Sequence, residues 1–86
     1  MMNVQFRKQD DELLEELADY AHFAWSGWME YLFSKSKMNP DGSCTIPTVS
    51  VEWWVRQMNT AYVDLSEREK ESDRVEAKMI LGIVYD

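Results

Sequence analysis

Apolar residues in the first third of the chain fall at the three-and-four spacing of one helix face: Leu14, Leu17, Ala18, Ala21, Trp25, Trp28, Met29 and Leu32. Asp10, Asp11, Glu12, Glu15 and Glu16 crowd the start of this run, and Lys35 and Lys37 close it. That order complements the helix dipole at both ends. The pattern predicts a long helix over about residues 10–36. Leu13, Tyr20, Phe23 and Tyr31 lie off the main stripe. A second apolar side must then be covered by later helices, a second subunit or a ligand. Gly27 stands mid-helix, where glycine costs about 1 kcal/mol relative to alanine; it is expected to admit a close backbone approach or to mark a bend.

The periodicity stops at Asn39-Pro40-Asp41-Gly42-Ser43. Proline presets a turn dihedral and glycine accepts a positive φ, so this stretch reads as a turn that ends the first helix. Residues 45–48 read as extended under the restraint of Pro47. Ser50 is expected to cap a second helix with Glu52 in its first turn, and that helix should fray near Asn59 and Thr60. Trp53, Trp54, Gln57, Met58 and Ala61 give it a broad aromatic surface. A third helix starts at Ser66, where Ser66 and Glu69 form a capping box. Its first half is almost wholly charged; Val75, Met79 and Ile83 then form one apolar row, with Ile80 and Val84 beside it. Ahead of the first helix, residues 1–9 read as a weakly ordered lead in which Val4 and Phe6 hint at a brief strand. The expected fold class is all-α: one small three-helix domain over residues 1–86 with an irregular middle loop.

Composition sharpens this picture. The chain has 86 residues, 45% of them apolar, with four Trp, four Tyr and three Phe. So short a chain buries a modest share of its surface, and large rings compensate. A homo-oligomer, a dimer or higher, is expected for the same reason. The net charge of −7 disfavours duplex DNA, whose binding is driven by Lys and Arg displacing counterions, and disfavours an anionic membrane surface. An acidic chain can still hold a small anion where cations and backbone N–H groups converge. No run is long and apolar enough to span a bilayer, and the N-terminus lacks the apolar stretch of a signal peptide. The cytoplasm is the expected compartment.

Candidate chemistry is sparse. Cys44 is the only cysteine and His22 the only histidine, so neither a disulfide nor a thiolate-rich metal site is expected. There is no Gly-rich phosphate loop, no Ser-His-Asp order and no divalent-metal loop. Neither catalysis nor a cofactor is expected. Glu15, Glu16 and Asp19 read as solvated. What remains suits a planar anion. Trp25, Trp28, Trp53 and Trp54 can stack on a nucleobase. Arg56, Lys70, Arg74 and the helix start at Ser66 can take phosphate, and Tyr62 precedes that start. Each element also has a structural reading. Trp25 and Trp28 at helical spacing read first as core, as does His22, which shares a face with Ala18, Trp25 and Met29. Trp53 and Trp54 are adjacent, diverge by about 100° on a helix and cannot both face one core. Asp73 and Arg74 can either tie the last helix to the first or serve a ligand, with Glu71 and Asp73 close enough in sequence to neutralise the guanidinium.

Several of these residues stand in a recognisable order. His22-x-x-Trp25 on the first helix, Tyr62-x-x-Leu65, then Glu69-Lys70 and Asp73-Arg74 opening the last helix resemble the repeat domain of ryanodine receptors, the RyR domain. The resemblance covers both ends of the chain, about half its length. The middle, with Trp53 and Trp54, departs from the pattern; Ala61 stands where the family usually has proline. Gly27-Trp28-Met29-Glu30-Tyr31 echoes the family's Gly-Trp-x-Tyr segment loosely and lies too close to Trp25. The wider sequence also looks like small proteins carried by phages and prophages. The resemblance implies a helical, non-enzymatic module binding a nucleotide-derived small molecule in an aromatic-lined cleft that includes His22. A phage version would sequester an ADP-ribose-type or cyclic-nucleotide immune signal, acting as an anti-defence sponge in the host cytoplasm. The competing expectation is an acidic interaction module that docks on a host protein.

Overall fold

The computed structural model describes residues 9–85. Most of the expected N-terminal lead, residues 1–8 with the possible strand at Val4 and Phe6, lies outside the described residues. Helix α1 spans Asp10–Ser34, α2 Thr48–Met58 and α3 Glu67–Val84. Between them lie a two-stranded hairpin, β1 (Lys37–Met38) and β2 (Cys44–Thr45), and a 3-10 turn at Tyr62–Asp64. The fold is all-α with three helices among the described residues. The chain resolves into two compact units. Unit 1 joins residues 9–24 to residues 67–85, and unit 2 is Trp25–Ser66.

Helix α1 opens with Asp10, Asp11 and Glu12 in its first turn, where carboxylates suit the positive end of the dipole. It closes two residues early. The Ser34 and Ser36 hydroxyls donate to the Tyr31 and Leu32 carbonyls at 2.7 and 2.8 Å, offering those acceptors an alternative to further helix. The expected cations at its end are therefore displaced. Lys35 falls just beyond the helix and Lys37 lies in β1. Gly27 is no close-approach site: a Cβ built there meets nothing within 4 Å.

The face of α1 that turns inward keeps Leu17, Met29 and Leu32 of the expected stripe but departs from it in unit 1. In unit 1 the half-buried positions on α1 are Leu13, Glu16, Leu17, Tyr20 and Ala24, while Leu14, Ala18 and Ala21 face solvent. Leu13 and Tyr20 thus stand in for Leu14 and Ala21, a displacement of one residue, about 100°. Tyr20 accounts for the choice. Its phenol donates a hydrogen bond to the Glu76 carboxylate on α3, so the rotation that buries the ring also satisfies the hydroxyl. That bond, then partial burial, then the Glu76 charge hold the Tyr20 pKa above its ordinary value.

Unit 2 begins with the rest of α1 and turns through the hairpin. Met38 pairs with Cys44 and Lys37 with Thr45. Gly42 N–H donates to the Asn39 carbonyl at 3.1 Å and Asn39 N–H to the Ser43 carbonyl at 2.8 Å. Gly42 has φ +93°, the left-handed geometry that closes a three-residue hairpin loop. Asp41 accepts from the Ser43 hydroxyl at 2.6 Å and from its N–H at 3.0 Å. The Asn39 amide donates to Ser43 and Thr45 at 3.0 and 3.1 Å.

Helix α2 starts two residues before the expected cap. Pro47, with φ −61° and ψ 148°, occupies the cap position without a side-chain bond. Its carbonyl accepts from Val51 N–H at 3.0 Å. Proline is suited to a helix entrance because it has no N–H to leave orphaned. Ser50 is consequently a first-turn residue and not the cap. Pro47, Ser50, Trp54 and Gln57 are half-buried, a regular inward face. Val51, Val55 and Met58 remain exposed on another side. The helix ends where the Thr60 hydroxyl takes the Arg56 carbonyl at 2.6 Å.

Among the described residues none is fully buried. Each unit has a half-buried seam, and large apolar side chains stay accessible on every helix.

Candidate functional site

The tryptophans in unit 2 divide by accessibility. Trp25 is 53% exposed, Trp28 57% and Trp53 61%. Trp54 is half-buried and meets Tyr31 with ring centroids 6.3 Å apart and planes at 56°. This tilted pairing suits two ring quadrupoles. The adjacency of Trp53 and Trp54 thus separates an exposed indole from a packing one. Trp25 and Trp28 are not core residues; in this stretch of α1 Met29 and Leu32 are half-buried and both indoles are exposed.

Helical spacing sorts these side chains into rows. Trp53 and Arg56, three apart on α2, share a face. Trp25, Trp28 and Tyr31 fall three apart along α1. The Lys35 ammonium sits 5.4 Å from the centre of the Tyr31 ring, within cation–π range. Tyr62 is exposed in the 3-10 turn, where Leu65 N–H returns to the Tyr62 carbonyl at 3.0 Å. Tyr62-x-x-Leu65 is therefore a single closed turn. Tyr31 and Lys35 were not among the expected site residues. Their signal was the i, i+4 placement of a cation after an aromatic ring, directly following Trp28.

Charge is partitioned between the units. Unit 2 carries Lys35, Lys37 and Arg56 against Glu30, Asp41, Glu52 and Asp64, close to balance. The acidic excess lies in unit 1. Within unit 2 itself, therefore, the acidic excess that repels an anion is small.

The remaining candidates stand in unit 1. His22 is exposed on α1 and is not a core histidine. Arg74 lies 3.4 Å from both Glu67 and Glu71, and Lys70 lies 3.8 Å from Glu67. Both cations thus already hold carboxylate partners from their own helix, and Arg74 is no lone guanidinium. The structure brings Lys70 and Arg74 together around Glu67, and Trp53 together with Arg56. These two groupings belong to different units.

A groove of about 530 Å³ runs along unit 1. Glu15, Glu16 and Asp19 supply its carboxylates. Tyr20, Phe23, Met79 and Ile83 supply its aromatic and aliphatic lining. None of the expected ligand-binding residues lines it. The acidic trio was read as solvated; what that reading missed is that Phe23, off the main stripe, falls one turn past Asp19 on the same side.

Cys44 is a half-buried free thiol in β2. Among the described residues there is no cluster of three or more His, Cys, Asp or Glu side chains able to hold a metal ion. No helix among them is long and apolar enough to cross a membrane. In comparisons with known proteins, no family model, curated protein or solved structure matches this chain.

Proposed function

We propose that the chain is a non-catalytic binding protein that holds a nucleotide-derived small molecule, of ADP-ribose or cyclic-nucleotide type, and acts by sequestering it in the cytoplasm of a phage-infected host. The observation that carries this reading is Trp53: a well-exposed indole one helical turn from Arg56, in a unit whose charges nearly balance. An indole face stacks on a nucleobase, and a guanidinium takes phosphate through paired N–H donors. Trp25 and Trp28 add a second aromatic row, and Tyr62 a further ring. Lys70 and Arg74 reach a phosphate only by exchanging their carboxylates, and exposed pairs of this kind are worth about 0–1 kcal/mol. The order of the RyR-type motifs supports the same ligand class.

Self-association belongs to this reading. A chain in which no described residue is fully buried leaves much of its hydrophobic driving force unused. A second copy is the partner that every solution of this protein contains.

Isothermal titration calorimetry with ADP-ribose, cyclic ADP-ribose variants and cyclic oligonucleotides tests the ligand class. Binding heat is expected with one of them. Arg56→Gln should weaken it, while Trp54→Ala should alter stability more than affinity. Absence of heat with all three classes, well above micromolar concentration, overturns the reading.

A further inference from the structure

We infer that the groove of unit 1 is a docking site for a basic amphipathic helix of a partner protein. It shares no residue with the aromatic surface of unit 2, so its failure leaves the small-molecule reading untouched, and the reverse also holds.

Three features select this occupant. The first is length. Glu15, Asp19 and Phe23 follow at four-residue spacing on α1, a line about 12 Å long at 1.5 Å per residue. Two turns of a partner helix cover that distance, presenting side chains at positions i, i+4 and i+7. The second is apolar lining. Phe23 is 70% exposed and Met79 and Ile83 share the groove with it, so an apolar helix face gains buried area there. The third is charge. Among the described residues none forms an ion pair with Glu15 or Asp19, whereas the carboxylates of α3 at Glu67 and Glu71 are held by Lys70, Arg74 and Lys78. Glu15 and Asp19 thus present negative charge beside an apolar strip, the complement of a helix with Leu on one face and Lys or Arg along its border. A second copy docking through the same groove would oppose acidic trio to acidic trio. Nucleic acid and anionic lipid are repelled by the same groups.

The probe is a synthetic 18-residue amphipathic helix of leucine and lysine, with a leucine–glutamate peptide of equal length as its partner. Both are titrated into the full chain and followed by fluorescence anisotropy. The lysine peptide is expected to bind and the glutamate peptide is not. Two double variants change the net charge equally: Glu15→Lys with Asp19→Lys inside the groove, and Asp10→Lys with Asp11→Lys outside it. The groove pair should weaken binding by more than about tenfold and the outer pair by less than about threefold, because screened charge at a distance contributes little. Phe23→Ser should weaken it by about tenfold through lost burial. Phe23 is an exposed side chain, so its replacement leaves the fold intact, and a circular dichroism melt verifies that. Equal weakening by the two charge pairs overturns the proposal, since it reports net charge alone. So does unchanged binding in Phe23→Ser, or absence of lysine-peptide binding. A change of oligomeric state in the groove pair, without peptide binding, would assign the groove to a second copy and also overturn it.

Discussion

At the residue scale, the hairpin loop is held by Gly42 and Asp41. Gly42 holds φ +93°, a region that costs an L-residue roughly 1–2 kcal/mol. Gly42→Ala should therefore lower unfolding free energy by about that amount, read from the midpoint shift in urea. Asp41 is the other lever. The Ser43 hydroxyl, and then its backbone N–H, hold the Asp41 pKa below its ordinary value. A depressed folded pKa means that the carboxylate favours the folded loop above the unfolded pKa, and that this contribution disappears as pH falls through the folded one. An NMR titration of the Ser43 amide should show its midpoint displaced to more acid pH than a free aspartate; a midpoint at the ordinary aspartate value would contradict the loop geometry. The turn itself was legible in the order Asn-Pro-Asp-Gly. The hairpin was not, because two-residue strands are too short to show alternation.

At the element scale, helix positions were legible from periodicity, but the inward faces were less so. α1 is apolar around most of its circumference, and no count of apolar residues separates the Leu14 stripe from the Leu13 stripe. The phenol of Tyr20 reaching Glu76 decides between them, and that partner lies 56 residues away. The start of α2 was misread for a related reason. Ser50 has the right chemistry for a cap, but Pro47 already carries an extended ψ of 148° and leads directly into the helix. Ala61, where the resemblance expects proline, has φ −65°, proline's own value. α2 also supplies a sharp stability test. Trp54 packs against Tyr31 while its neighbour Trp53 faces solvent. Trp54→Ala should cost about 2 kcal/mol, less than the about 3–5 kcal/mol of a fully buried aromatic. Trp53→Ala should stay within about 0.5 kcal/mol, as for surface substitutions generally. Equal losses in thermal melts would refute this division of roles.

At the scale of the whole molecule, composition pointed to a folded, ring-rich chain, yet none of the described residues is fully buried. Aromatic content announces that burial is available without naming the partner that provides it. Sedimentation equilibrium should accordingly show self-association that strengthens with concentration and weakens on cooling, as apolar burial does. Net charge was similarly informative only in aggregate. The −7 total disguises a nearly balanced unit 2 and a strongly acidic unit 1, and the two surfaces suit different ligands. The candidate site was legible as a set of indoles and cations, and the pairing of Arg74 with Glu71 was legible in α3's own spacing; which indole of Trp53 and Trp54 packs was not, because that depends on Tyr31 of another helix. The most direct measurement is tryptophan emission of the full chain during titration with ADP-ribose and cyclic ADP-ribose, compared between wild type and Trp53→Ala. Saturable quenching that weakens about 5- to 160-fold in Trp53→Ala, equivalent to about 1–3 kcal/mol of stacking, is the predicted result. Emission that stays unchanged with both nucleotides, or a titration identical in Trp53→Ala, would contradict the account.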